Sequence, residues 1–308
     1  MQHAFNVHHP KRAFTLVELL LVITIIVIVL ALILVAVQSL QKSARATACL
    51  SNQRQIALAN QSYAADNAGR LVSPRTNSYG YNVPGIGNMA PTRNPWVDNK
   101  DEGRAFVNGF RVETRAALEK GALWAYLSEA VGAYRSPLDP TDRLRSYSMN
   151  SAIGCGEKDP RLFLDDYWTF PNLEDSAISE SVRGTPFNTA TLARIPQPSR
   201  TFATLAEEDE GVAADGVEYR YNESGFSIRV QPPVGTAGEW IDTPATWNTG
   251  RVNISYMDGS VDAPAILYEE LSLRFEQDRH NVVEYGSRPA FRFFAQIVLP
   301  GVIPPEIQ

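Results

Sequence analysis

The chain has 308 residues with 28 Lys+Arg against 34 Asp+Glu, a formal net charge of −6. The charges are scattered, without the basic footprint that binding a phosphate backbone requires, so nucleic acid is excluded as a partner class. After an apolar segment near the start, enough chain remains for one large domain or two small ones with a real core.

The first element is that apolar segment. From Leu19 to Val37 every residue is apolar except Thr24, and a helix of about 19 residues spans roughly 28 Å, close to the hydrocarbon thickness of a bilayer. Val22 to Val29 is an unbroken β-branched run, which in water would favour a strand. Lipid reverses that preference, because a lone strand there leaves its backbone groups unpaired. A cleaved secretory signal would be shorter in its apolar part and followed by a small-residue site. Here "AVQSLQKSARA" runs on with helical character. A plain anchor is the simpler alternative, but it needs no Glu18, a carboxylate almost at the start of the run.

Beyond the membrane, no Pro or Gly interrupts the chain until Gly69, and Cys49, Ile56 and Tyr63 fall at heptad spacing with Ala59 between them. One helix is expected from Phe14 to Asn67, roughly 80 Å long, with an apolar half and an amphipathic half. From Ser73 to Pro95 the prolines and glycines predict a loop. "GIGNMA" lacks the strand and helix that a dinucleotide fingerprint needs around it. Thr114 is expected to cap a helix through Leu127, with Leu118, Leu123, Trp124 and Leu127 on its apolar face. In the second half, "RTFATLAEE", "GVEYRYN", "GFSIRVQ", "RVNISYMDGSVDA" and "PAFRFFAQIVL" read as strands between turn residues. An antiparallel sheet packed on the second half of the long helix gives an α+β head.

"KRAFTLVELLLV" resembles the processing motif of type IV prepilins and of type II secretion pseudopilins: a basic leader, a small residue, then Phe-Thr-Leu-x-Glu opening an apolar helix. The resemblance implies a pilin-like α+β fold, a long N-terminal helix packed on an antiparallel sheet. It divides the chain into a leader (1–13), a transmembrane helix (14–38), an amphipathic continuation (39–68) and an extracytoplasmic head (69–308). It implies cleavage by a prepilin peptidase between Ala13 and Phe14, where the family usually has Gly before the cut, and methylation of Phe14. Lys11 and Arg12 at one end of the run balance Lys42 and Arg45 at the other, so charge leaves orientation tied. The motif places the leader in the cytoplasm, the anchor in the inner membrane lipid and the head in the periplasm. The implied partners are the peptidase, other pilin or pseudopilin subunits and an inner-membrane secretion platform. Glu18 would then pair with the cationic terminus of a neighbouring subunit and fix its register, because a slipped subunit leaves two charges unpaired in lipid.

"ACLSNQRQI", "YRSPLDP" and "IPQPSRTFATLAEEDEG" resemble segments of large pseudopilin-like proteins with a C-terminal processing-associated region. In that region a His precedes an Asp-Gly turn by ten positions. Here the turn is Asp258-Gly259 and the matching residue is Asn248. The turn suits a hairpin, since both residues tolerate positive φ. The export that the motif implies puts Cys49 and Cys155, the two cysteines, in an oxidising compartment. They either pair or remain two buried thiols. The family often has its second cysteine at the position of Ser136.

Catalysis finds little material. Of the four histidines only His280 lies beyond the anchor, no Gly-x-Ser-x-Gly elbow occurs, and the Cys and His content offers no usual zinc spacing. Glu207, Glu208, Asp209 and Glu210 are the calcium candidates. They lack an Asp-x-Asp pattern and read as a solvated acidic turn. No cofactor is expected, and the chain reads as a structural subunit rather than an enzyme. The competing reading is a membrane-anchored binding protein for carbohydrate or another surface ligand. It would be favoured if Trp96, Trp168, Trp240 and Trp247 lined one concave site, and disfavoured if they were core.

Overall fold

Helix α1, Leu16–Asp66, is a single uninterrupted helix of 51 residues in this computed structural model. The structure describes residues 15–74, 76, 82–83, 87–88, 94–154, 191–195, 197–208, 211–212, 218–220, 225–226, 228–231, 237–240, 242–265, 282–284 and 289–298. The chain divides into two compact units, Met1–Ala44 and Arg45–Gln308, and the boundary falls inside α1. In the first unit the described residues from Leu16 onward are solvent-exposed, and this part of the helix is long and apolar enough to cross a membrane. The one polar side chain between Leu19 and Val37 is satisfied locally: Thr24 Oγ1 donates to Leu20 O at 2.8 Å.

In the second unit, α1 is the spine of the core. Cys49, Ile56, Ala59 and Tyr63 pack with Trp96, Leu118, Leu123, Tyr134, Tyr147 and Met149. Ala57 and Ala64, on another face of α1, pack with Leu71, Ile153, Ile195, Ala203 and Met257. The heptad positions expected to face a head are therefore buried.

Two dipeptides eight residues apart, Asn52-Gln53 and Asn60-Gln61, add a second kind of contact. Asn52 Nδ2 donates to the carbonyls of Gly132 and Arg135, both at 3.0 Å. Gln53 Nε2 donates to Asn253 O at 2.9 Å, and Gln61 Nε2 donates to Met257 O at 2.7 Å. Asn60 Oδ1 accepts the Val72 N–H at 3.1 Å. Neutral amides thus bind α1 to backbone groups of the head, those of Val72, Asn253 and Met257 belonging to buried residues.

Four strand groups follow. Strands β1 (Asn82–Val83) and β2 (Gly87–Asn88) form a minimal antiparallel pair. Strands β3 (Arg104–Val107) and β4 (Phe110–Glu113) form a hairpin. Beyond helix α2 (Arg115–Glu119) come β5 (Tyr147–Met149), β6 (Phe202–Ala206), β7 (Gly211–Val212) and β8 (Glu218–Arg220). Strands β9 (Ile228–Gln231), β10 (Ala237–Trp240), β11 (Ile254–Tyr256), β12 (Val261–Asp262) and β13 (Val282–Glu284) precede the last helix, α3 (Pro289–Val298). The sheet in order β12-β11-β6-β5 is antiparallel throughout, and every residue of β5 and β6 is buried. The sheet β3-β4-β8-β7 contains one parallel pair, β4 with β8. Strands β13, β10 and β9 form the remaining sheet.

Two expected elements differ. The helix expected from Thr114 to Leu127 stops at Glu119 and resumes as a short 3-10 turn over Ala125–Leu127. At Gly121 a Cβ would collide with the Trp96 carbonyl oxygen, and the Ala122 N–H goes to Pro95 O at 2.9 Å rather than up the helix. Thr114 does not cap through its side chain, because its hydroxyl donates to Glu102 O. "PAFRFFAQIV", expected as a strand, is helix α3. Its buried Ala290, Phe291, Phe294, Ala295, Ile297 and Val298 recur at the helical period, and Pro289 occupies the first turn, where a missing N–H costs little. Phe294 meets Phe226 with ring centroids 5.5 Å apart, and Phe226 meets Phe202 at 5.8 Å.

Candidate processing and assembly site

Helix α1 starts where its sequence satisfies its own terminus. Thr15 precedes the first helical residue, and its carbonyl accepts the first helical bond, from Leu19 N at 3.2 Å. Its Oγ1 accepts the Glu18 N–H at 3.2 Å. Glu18 Oε2 in turn accepts from Thr15 N at 2.9 Å and from Thr15 Oγ1 at 2.7 Å. This is a reciprocal capping box. Its signature, Thr-x-x-Glu, stands in "TLVE", but the apolar setting directs attention to Glu18's charge and away from its spacing. Ala13 and Phe14 lie outside the described residues.

The Asp258-Gly259 turn joins β11 to β12 and sits against α1. Of the two residues only Gly259 takes a positive φ, 86°. A Cβ on it would lie 2.9 Å from Leu58 Cδ2, so glycine answers both a backbone and a packing demand. Asp258 Oδ1 accepts from Ser260 N at 2.8 Å and from Ser260 Oγ at 2.6 Å, closing the turn from the side chain. Asn248 donates from Nδ2 to Asn253 Oδ1 at 2.7 Å, and the Asn253 carbonyl is the one that Gln53 holds. Asn248 thus has a structural task next to α1.

Cys49 is a buried thiol in this structure. Ser136 Oγ donates to its sulfur at 3.2 Å, and Tyr147 OH approaches the same sulfur at 3.4 Å. Burial holds the phenols of Tyr147 and Tyr134 well above their usual range. Cys155 lies outside the described residues.

Glu207 departs from the solvated turn expected for it, because it directly follows β6, bridged to Pro244, and is buried. Its backbone is bound on both sides, by Ser146 O at 3.0 Å and by the Arg143 guanidinium at 2.6 Å. Glu208 is half-buried, and Asp209 and Glu210 lie outside the described residues. Among the described residues no three His, Cys, Asp or Glu side chains are grouped to hold a metal. His280 is also outside them.

The tryptophans do not form a concave site among the described residues. Trp96 is fully buried, stacked on Tyr134 at 5.9 Å, with the Arg145 guanidinium over its own ring 5.2 Å from the centroid. Arg145 makes a bidentate bond to Glu113, Nε to Oε2 at 3.0 Å and Nη2 to Oε1 at 3.1 Å. Trp247 is half-buried beside Arg143, 5.2 Å away. Trp168 and the side chain of Trp240 lie outside the described residues.

Residues 8–34 match the family model described as the prokaryotic N-terminal methylation motif. The match covers the basic residues ahead of the helix, the capping box and most of the apolar run. No curated protein and no solved structure matches the chain.

Proposed function

We propose that this chain, which carries the prokaryotic N-terminal methylation motif, is a pseudopilin-like structural subunit of a type II secretion or type IV pilus-like filament. A prepilin peptidase cuts between Ala13 and Phe14, and the new amine is methylated. The segment Phe14 to about residue 38 anchors the subunit in the inner membrane with its head in the periplasm, and assembly draws the subunit into contact with its neighbours.

The observation that carries this reading is the fully exposed apolar half of α1, most of which lies inside the matched motif. A run of that length has no partner among the described residues, and lipid or the same segment of other subunits is the cover that suits it. Glu18 has a place in both settings. Its carboxylate closes the helix start through Oε2, and its charge can meet a neighbour's terminal amine. The buried Trp96 counts against a ligand-binding head. The role is structural rather than catalytic.

The test is overproduction of the full chain with its secretion machinery, followed by shearing and immunogold microscopy. Labelled filaments are expected. A chain that stays as dispersed membrane protein under conditions where a known subunit assembles would remove the filament role.

A further inference from the structure

Asn108-Gly109, the turn between β3 and β4, is the only Asn-Gly pair in the chain. A glycine after asparagine leaves its peptide nitrogen sterically open to the asparagine side chain, and the fold decides whether the two groups are free to meet. At this tip both residues are exposed, and no atom lies within 4 Å of where a Cβ on Gly109 would stand. Among the described residues neither the Asn108 carboxamide nor the Gly109 N–H has a hydrogen-bond partner. The φ values of 52° and 91° are the left-handed pair of a tight hairpin, closed by Val107 opposite Phe110.

Two comparable sites are locked. Asn150, followed by small Ser151, is buried. Its Nδ2 donates to Phe202 O at 3.0 Å and to Val298 O at 2.8 Å, and its Oδ1 accepts the Ala152 N–H at 3.0 Å. The Ser151 N–H goes to Phe226 O at 3.3 Å. At Asp258-Gly259 the carboxylate is held by Ser260, and the Gly259 N–H donates to Tyr256 O at 2.9 Å. In both places the side chain and the nitrogen that would attack it are tied to different partners.

We propose that Asn108-Gly109 is a site of spontaneous covalent modification by water. The Gly109 nitrogen gives its proton to hydroxide and bonds to Asn108 Cγ. The bond from Cγ to Nδ2 breaks, and Nδ2 takes a proton from water and leaves as ammonia. Water then opens the resulting succinimide. Addition at Cγ yields aspartate with the main chain restored; addition at the Asn108 backbone carbonyl yields isoaspartate, with the main chain running through Cγ. Nothing is oxidised or reduced. Aspartate keeps the turn, since Asp-Gly suits it as Asn-Gly does. Isoaspartate adds a backbone carbon that a two-residue connection cannot absorb without disturbing the Val107–Phe110 pair. Either product places a negative charge beside Phe106 and Val107, which are 66% and 46% exposed, so this surface changes as the molecule ages. The proposal does not depend on the filament role.

The full chain in detergent is incubated at neutral and mildly alkaline pH, folded or in guanidinium, and sampled by tryptic mapping. Cleavage after Arg104 and Arg111 releases residues 105–111; mass reports the acid, and labelling by an isoaspartyl methyltransferase reports isoaspartate. In the folded chain this peptide is expected to convert at a rate within a few-fold of that in guanidinium, and faster at the higher pH. Folding should slow conversion at Asn150 at least about tenfold, as for a buried group that reacts only on local opening. Asn108→Gln, which cyclises less readily, should remove the methyl label from residues 105–111. A 108 site that keeps its asparagine in both states, or that folding protects as strongly as Asn150, would overturn the proposal.

Discussion

Thr15 and Glu18 hold each other at the start of α1: each side chain accepts the other's backbone N–H, at 2.9 and 3.2 Å. A carboxylate in an apolar segment therefore has local work before any neighbour arrives, and its charge and its capping can be separated by substitution. Gln keeps an acceptor for Thr15 but removes the charge; Val removes both.

Membrane insertion is expected to survive Glu18→Gln and Glu18→Val, since losing a cap costs about 0.5–2 kcal/mol and lipid favours the neutral side chains. Subunit crosslinking in cells should fall at least about tenfold for both, because an unpaired amine in a low-dielectric interface costs several kcal/mol. Wild-type crosslinking by Glu18→Gln, with loss only in Glu18→Val, would assign Glu18 to the cap alone.

Ser136→Cys should form a disulfide with Cys49. The Ser136 Oγ already lies 3.2 Å from the thiol across 87 residues of chain, and closing a loop of that size stabilises by about 4–5 kcal/mol when geometry is unstrained. Peptide mapping under non-reducing conditions is expected to find the 49–136 link. In the unsubstituted chain the same digest decides between a Cys49–Cys155 link and two thiols.

Glu113→Ala should cost about 3–5 kcal/mol, because it leaves the fully buried Arg145 guanidinium without its carboxylate. Denaturant unfolding of the chain in detergent measures the loss. Glu119→Ala, which breaks an exposed Arg115 pair, should move stability by less than about 0.5 kcal/mol.

Gly259→Ala is expected to destabilise by about 1–2 kcal/mol for its positive φ alone, with a further contribution from Leu58. Repeating the substitution in a Leu58→Ala background should recover the second part and leave the first. Full recovery would mean that packing, not backbone conformation, demands glycine there.

Much of this was legible in the sequence for physical reasons. The motif and the apolar run are local, and the heptad of Cys49, Ile56 and Tyr63 reports one helix face. The strand at Phe202–Ala206 is a short apolar run between turns. The miss at Pro289–Val298 came from reading an aromatic-rich run by composition, when the spacing of Phe291, Phe294 and Val298 was helical. Gly121 gave no sign that it must clear the Trp96 carbonyl, because that contact exists only once the loop is folded. The Asn-Gln pairs at 52–53 and 60–61 are visible in the sequence, but their partners are backbone groups that any residues could supply. The parallel pairing of β4 with β8 joins segments about a hundred residues apart, and no local pattern encodes it.

Whether this chain is a prepilin-type substrate is tested most directly by the mass of its mature amino terminus. Protein purified from membranes of cells with an active prepilin peptidase should begin at Phe14 with a methylated amine, and peptidase-deficient cells should yield the uncleaved leader. An intact leader retained in the presence of the active peptidase would contradict the account.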